Sequence, residues 1–212
     1  MIAKDQTVLR YWASRANLFN DYYTDPSWFD RVFRKAIFLR AMVAIDVCRK
    51  LPEPTVLDVG SGPGINSVAL IQEGHARAVT GIDFAESMNE LAREQARSRG
   101  VDDRCHFIQG DFMGHSFDAK SFDLVVALGV FDYVDEPRQF LTRIAEYARA
   151  SVVVSWPEAG LRMLLRQARY SCPVRSYTES RIRDLHRSAR LSQLELLKVP
   201  GGWVSTASAR PD

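Results

Sequence analysis

Two hydrophobic periods divide this chain. Near the start, Phe29, Phe33, Ile37 and Ala41 recur at four-residue spacing, with Arg31, Arg34, Lys35 and Arg40 on other faces, the pattern of an amphipathic helix. The region 7–50 reads as helical, and Ser27 in Asp25-Pro26-Ser27 is placed to cap the following amides. Leu51-Pro52-Glu53-Pro54 stops the helix, because proline cannot continue one. From there short β-rich runs alternate with helical ones. Strands are expected over 55–60, 78–83, 105–109, 122–128, 151–155, 193–199 and 203–207. Helices are expected over 65–73, 86–99, 136–149, 158–168 and 179–189, with Gly74 and Gly100 closing the first two and Thr178 capping the last. Leu124-Val125-Val126-Ala127-Leu128 has no polar alternation, as befits a parallel strand buried on both faces.

This alternation predicts an α/β fold, a doubly wound and mostly parallel seven-stranded sheet with right-handed crossovers. An N-terminal helical extension precedes it, and the hairpin around Pro200-Gly201-Gly202 adds one antiparallel C-terminal strand. No repeat or linker-like run interrupts the 212 residues, so one domain is expected. Its parts are a helical lid over 1–50, a ligand-binding core over 55–155, substrate-side helices over 156–190 and a closing hairpin over 191–209. In open α/β sheets ligands bind at the carboxyl ends of the strands, beside the point where strand order reverses.

Composition changes this picture little. Hydrophobic residues make up 46% and charged residues 25% of the chain, ordinary for a globular protein. No apolar run resembles a signal peptide or approaches the roughly 20 residues of a membrane span. Cys48, Cys105 and Cys172 form no CxxC and no metal spacing with the four histidines, so reduced thiols, a cytoplasmic location and no metal are expected. Charge is more informative. The net value is only +2, yet 138–190 holds eleven arginines against four acids, an excess of seven. Solvated helix faces explain such a run; an anionic substrate or surface nearby is the sharper alternative.

The chemistry sits in Val56-Leu57-Asp58-Val59-Gly60-Ser61-Gly62-Pro63-Gly64, where a buried strand runs through three alternate glycines into a helix. Gly60 and Gly62 would lack the Cβ atoms that keep a ligand from the backbone, and both permit positive φ. A dinucleotide fingerprint G-x-G-x-x-G would need glycine at position 65, which is Ile65. Asp58 would repel a pyrophosphate and favours a ligand carrying positive charge.

This nonamer resembles the first motif of class I S-adenosylmethionine (SAM)-dependent methyltransferases, acidic-x-Gly-x-Gly-x-Gly, and the likeness implies a Rossmann-like sheet. SAM carries a sulfonium and an α-ammonium, which suits Asp58, and leaves as S-adenosylhomocysteine. The resemblance places the cofactor against Asp58, Gly60, Ser61, Gly62 and Gly64. It gives Asp83, 19 residues after Gly64, the ribose diol, with Phe84 and Met88 on the adenine side. An ordinary strand-end aspartate capping the helix at Glu86 is the competing reading of Asp83. Gly110, Asp111 and Phe112 would sit near the adenine, although aspartate also simply favours such loops.

Leu128 and Gly129 would hold the methionine part through their backbone. Asp132 and Tyr133, in Gly129-Val130-Phe131-Asp132-Tyr133-Val134, are the candidates for orienting the acceptor or removing its proton. Equally, Asp132 could brace the loop and Tyr133 pack on the core. The aromatics Tyr11, Trp12, Phe19, Tyr22, Tyr23, Trp28, Phe29 and Phe33 suggest a cofactor cover, or plain core packing. The stretch Ser155-Trp156-Pro157 with Arg162, Arg166, Arg169-Tyr170 and Pro173 to Tyr177 is distantly similar to magnesium-protoporphyrin O-methyltransferases and to small bacterial glycan and natural-product methyltransferases.

These readings imply in-line methyl transfer to a small-molecule acceptor, which could be anionic, with O-methylation favoured and no metal. An Asn-Pro-Pro-Tyr-like motif, a mark of amine methylation, is absent after the fourth strand, and no basic tail points to nucleic acid. The alternatives are nucleic-acid or N-methylation, a nucleotide-dependent oxidoreductase disfavoured by Ile65 and Asp58, and a non-catalytic SAM-binding subunit. Acceptor identity and oligomeric state are not legible.

Overall fold

The computed structural model describes residues 28–159 and 175–209. The expected helices over 7–27 and 160–168, the Ser27 cap and Arg162, Arg166 and Arg169 lie outside these residues. The described chain runs α1 (Trp28–Arg49), β1 (Thr55–Val59), α2 (Ile65–Gln72), β2 (Ala78–Asp83), α3 (Glu86–Ser98), β3 (Cys105–Gln109), β4 (Phe122–Ala127), α4 (Pro137–Tyr147), β5 (Ala148–Pro157), α5 (Glu179–Ser188), β6 (Ser192–Val199) and β7 (Gly202–Ser208).

The seven strands form one sheet in the order β3-β2-β1-β4-β5-β7-β6. The five strands β1 to β5 run parallel to one another, and β7 runs antiparallel between β5 and β6. The doubly wound sheet with one antiparallel C-terminal strand is thus as the alternation requires. Strand order reverses between β1 and β4, which puts the β1–α2 loop and the chain after β4 side by side.

Alternation within each central strand builds two cores. Leu57, Val59, Val125, Ala127, Val152 and Val154 face α4 and α5, whose Phe140, Ile144, Ile182 and Leu185 cover them. Val56, Leu124, Val126 and Val153 face the other way, against Ala44, Ile45 and Cys48 of α1, Val68 and Ile71 of α2, and Ala96 of α3. Each such aliphatic side chain contributes about 1.5–3 kcal/mol by leaving water.

Two expectations need correction. Helix α4 stops at Tyr147, and Ala148 already begins β5, paired with Phe122. The helix was expected to reach Arg149, but backbone pairing with β4 takes those residues over. The α1 stripe also shifts. Ile37 is 36% and Phe38 61% exposed, whereas Ala44, Ile45 and Cys48 are buried, because these last turns of the helix pack against the sheet. Among the described residues no helix is long and apolar enough to cross a membrane.

Candidate active site at the carboxyl edge of the sheet

The β1–α2 loop turns on three left-handed glycines, Gly60 (φ 69°), Gly62 (φ 52°) and Gly64 (φ 75°), and their reasons differ. A Cβ on Gly60 would stand 2.5 Å from Val130 Cγ2, and one on Gly64 would stand 2.8 Å from Ala92 Cβ and 3.0 Å from Phe107 Cζ. These two glycines serve packing within the protein. At Gly62 a Cβ would meet nothing within 4 Å. That face is open, and so is the face of Gly129 (φ 82°) across the switch point.

Two carboxylates lie behind the loop. Asp58 is 1% exposed and its Oδ2 accepts a 2.6 Å hydrogen bond from Ser67 Oγ on α2. Burial pushes its carboxyl up to about 6, with the neighbouring charge of Asp83 adding to the rise and Ser67 opposing it. Asp83 ends β2. Its Oδ2 accepts from Gly62 N at 3.0 Å and its Oδ1 from Ala85 N at 2.9 Å. Burial raises its carboxyl too, against those backbone bonds. Asp83 therefore fastens β2 to the glycine loop as well as steadying the start of α3. Asn89 Nδ2 braces the same corner by donating to the carbonyls of Asp83 and Ala85, each at 3.0 Å.

Phe84 and Met88 form a small apolar cluster with Ala85 and Leu91 at the end of β2. Gly110 N donates to Asp83 O at 2.9 Å, so the chain after β3 adjoins this corner. Asp111 Oδ1 accepts from Met113 N at 3.1 Å, the turn-bracing use of an aspartate. Phe112 is 1% exposed and packs on Phe140, centroids 4.9 Å apart. Its ring is packed into the core beside the chain that follows β3. Ser61 is buried, with its hydroxyl directed over Gly81.

Beyond β4 the chain is held by other segments. Gly129 N donates to Ser155 Oγ at 2.8 Å, and Tyr177 Oη donates to Phe131 O at 3.1 Å. Arg175 N donates to Asp132 O at 2.9 Å, and the Arg175 guanidinium pairs with Asp135. Phe131, Trp156 and Tyr177 stack together, with centroids 4.2 Å apart for Phe131–Trp156 and 5.1 Å for Trp156–Tyr177. Asp132 and Tyr133 are buried, 3% and 7% exposed. Among the described residues no group of three or more His, Cys, Asp or Glu is placed to hold a metal ion.

Sequence reasoning missed Ser67, Asn89, Ser155 and Tyr177. Ser155 carried a signal, a hydroxyl directly after an apolar run, whereas Ser67 and Asn89 share their helices with other polar residues. Tyr177 carried none, because its contact spans 46 positions.

A seven-stranded sheet of this order, with a strand–glycine turn–helix junction at its switch point, defines the methyltransferase class of Rossmann-like proteins. Residues 56–151 match the family model for a methyltransferase domain. These residues, just under half of the chain, are therefore similar to methyltransferase domains. The chain is 30% identical over 103 residues to the release factor glutamine methyltransferase of Fusobacterium nucleatum, covering 49% of this chain and 29% of that one. It is 35% identical over 94 residues to the phosphatidylethanolamine N-methyltransferase of Cereibacter sphaeroides, covering 44% and 45%. Both matches thus span less than half of the relative's length. In fold the chain is similar to the magnesium protoporphyrin IX methyltransferase of Synechocystis PCC 6803 solved with S-adenosylhomocysteine, with a TM-score of 0.79 and 18% identity over 98% of this chain and 100% of that one.

Proposed function

We propose that this protein transfers a methyl group from SAM to a small-molecule acceptor, most simply to an oxygen. The observation that carries the reading is the open face at Gly62 above two buried carboxylates. The residues fit the group. A cationic ligand lying on that face lowers the cost of keeping Asp58 and Asp83 ionised, and the backbone leaves it room. Bound SAM supplies a methyl carbon on a sulfonium sulfur, poised for in-line displacement with S-adenosylhomocysteine as leaving group. Asp58, Gly60, Ser61, Gly62 and Gly64 shape the floor, and Asp83 takes the ribose hydroxyls with the acceptor capacity its backbone bonds leave. Phe84, Met88, Gly110 and Asp111 border the adenine, and Leu128 and Gly129 the methionine part.

The chain's main contribution is to position the acceptor, since the activated methyl group needs little further help. Asp132 and Tyr133 stand on the loop that adjoins the glycine turn. They orient an acceptor hydroxyl, and Asp132 receives its proton. Arg175 N donates to Asp132 O, which steadies the loop that carries both acceptor-side candidates. An anionic acceptor group would suit the arginines at 162, 166 and 169. Arg175 already has Asp135 as partner.

The test is methyl transfer from labelled SAM to fractionated small molecules, followed by mass spectrometry of the product. Asp132→Asn should lower turnover by about 10²–10⁴-fold, the usual contribution of a general base, with S-adenosylhomocysteine affinity unchanged. Label found on nitrogen, or on protein or nucleic acid, would overturn the acceptor assignment.

A further inference from the structure

We propose that Ser155 is a positioning residue for the cofactor, fixing the Leu128–Gly129 peptide so that the Leu128 carbonyl accepts a hydrogen bond from the ligand's α-ammonium group. The inference rests on the SAM reading above and assigns one atom of that site.

Ser155 is 1% exposed and sits near the end of β5, a hydroxyl directly after the apolar run Val152-Val153-Val154. Its Oγ takes the Gly129 N–H at 2.8 Å. A trans peptide is planar, with its N–H and C=O pointing in opposite directions. Strand β4 lies between β5 and β1. Turning the Gly129 N–H toward β5 therefore turns the Leu128 carbonyl away from β5, toward β1 and the glycine loop that follows it. Val130 brings the two loops together, because its Cγ2 lies where a Cβ on Gly60 would stand.

The neighbouring carbonyls are already used. Val130 O accepts from Tyr133 N at 3.0 Å, Phe131 O from Tyr177 Oη at 3.1 Å and Asp132 O from Arg175 N at 2.9 Å. Among the described residues no backbone hydrogen bond of the turns and loops reaches the Leu128 carbonyl. Gly129 has φ 82° and an open face, and the Ser155 bond ties this peptide's orientation from the β5 side. A carbonyl with a spare lone pair, facing a crevice backed by two carboxylates, suits an ammonium donor.

The experiment compares two ligands on the full chain by calorimetric titration. S-adenosylhomocysteine carries the α-ammonium, and 5′-methylthioadenosine has the same nucleoside without it. Ser155→Ala should weaken S-adenosylhomocysteine by about tenfold or more, the range for a hydrogen bond to a charged group, and leave 5′-methylthioadenosine within about twofold. Ser155→Cys keeps the side-chain volume with a poorer acceptor and should show the same selective loss if the alanine variant does not fold. Equal loss of both ligands would reduce Ser155 to loop packing and overturn the proposal. Unchanged S-adenosylhomocysteine affinity would also overturn it. Wild-type protein that binds neither ligand would remove the SAM reading, and this inference with it.

Discussion

The two sides of the switch point are built differently. On the β1–β2 side the site is made of backbone and buried acids supplied by residues 58–89, all within a short stretch of chain. Gly62 N meets Asp83 across 21 positions, and Ser67 meets Asp58 across nine. On the β4–β5 side the chain after β4 is held by Ser155, Arg175 and Tyr177, which lie 26 to 46 positions away from their partners. A cofactor that is the same for every member of a class can be held by local turn geometry. An acceptor that differs between members is met by segments brought together only by the fold.

The largest expected effect separates the glycines of the first side. Gly64→Val should destabilise the protein by about 3–5 kcal/mol, combining left-handed strain with overpacking against Ala92 and Phe107. Gly62→Val should cost only the strain, about 1–2 kcal/mol, while abolishing S-adenosylhomocysteine binding. Denaturant unfolding and titration check both, and equal destabilisation by the two variants would erase the distinction.

Next is Asp83→Ala, which should weaken SAM by about 1.5–3 kcal/mol, as expected for lost hydrogen bonds to a charged group. Unchanged affinity in a calorimetric titration would leave Asp83 only its structural bonds to Gly62 and Ala85.

A smaller effect should appear with pH. Asp58 titrates at about 6 in the folded protein, against 3.8 as its ordinary value. The folded state thus holds this proton more tightly, so Asp58 stabilises the unliganded fold below about 4, and that contribution is lost as pH rises through about 6. Ligand affinity should run the opposite way, falling as pH drops below about 6 and the carboxylate that favours a cation is neutralised. Asp58→Asn should flatten the affinity profile. A profile unchanged by that substitution would separate Asp58 from the ligand.

The smallest effect belongs to the acceptor side. Arg175→Ala removes a half-exposed ion pair with Asp135, worth less than about 1 kcal/mol of stability. It should leave S-adenosylhomocysteine affinity unchanged, and a tenfold loss would place the cofactor nearer β5 than proposed.

The same division governs what the sequence reveals. Strands β1 to β4 could be located within a residue or so because continuous apolar runs and glycine stops are local signals. The Asp58–Gly64 turn was legible because its chemistry lies in consecutive residues. An aromatic after a strand end looks alike in sequence whether its ring faces a ligand or, as at Phe112, packs on a core ring such as Phe140. The packing reason for Gly60 was not legible, because the neighbour it accommodates, Val130, arrives from 70 positions away. The end of α4 was set by pairing between Ala148 and Phe122, which a helical pattern does not contain.

The central claim is that the open face at Gly62 holds an adenosyl ligand with positive charge rather than a dinucleotide. Calorimetric titration of the same preparation with SAM and with NAD(H) tests it most directly. Saturable one-to-one SAM binding, with NAD(H) far weaker, is the expected result. Tighter binding of NAD(H) than of SAM would contradict the account.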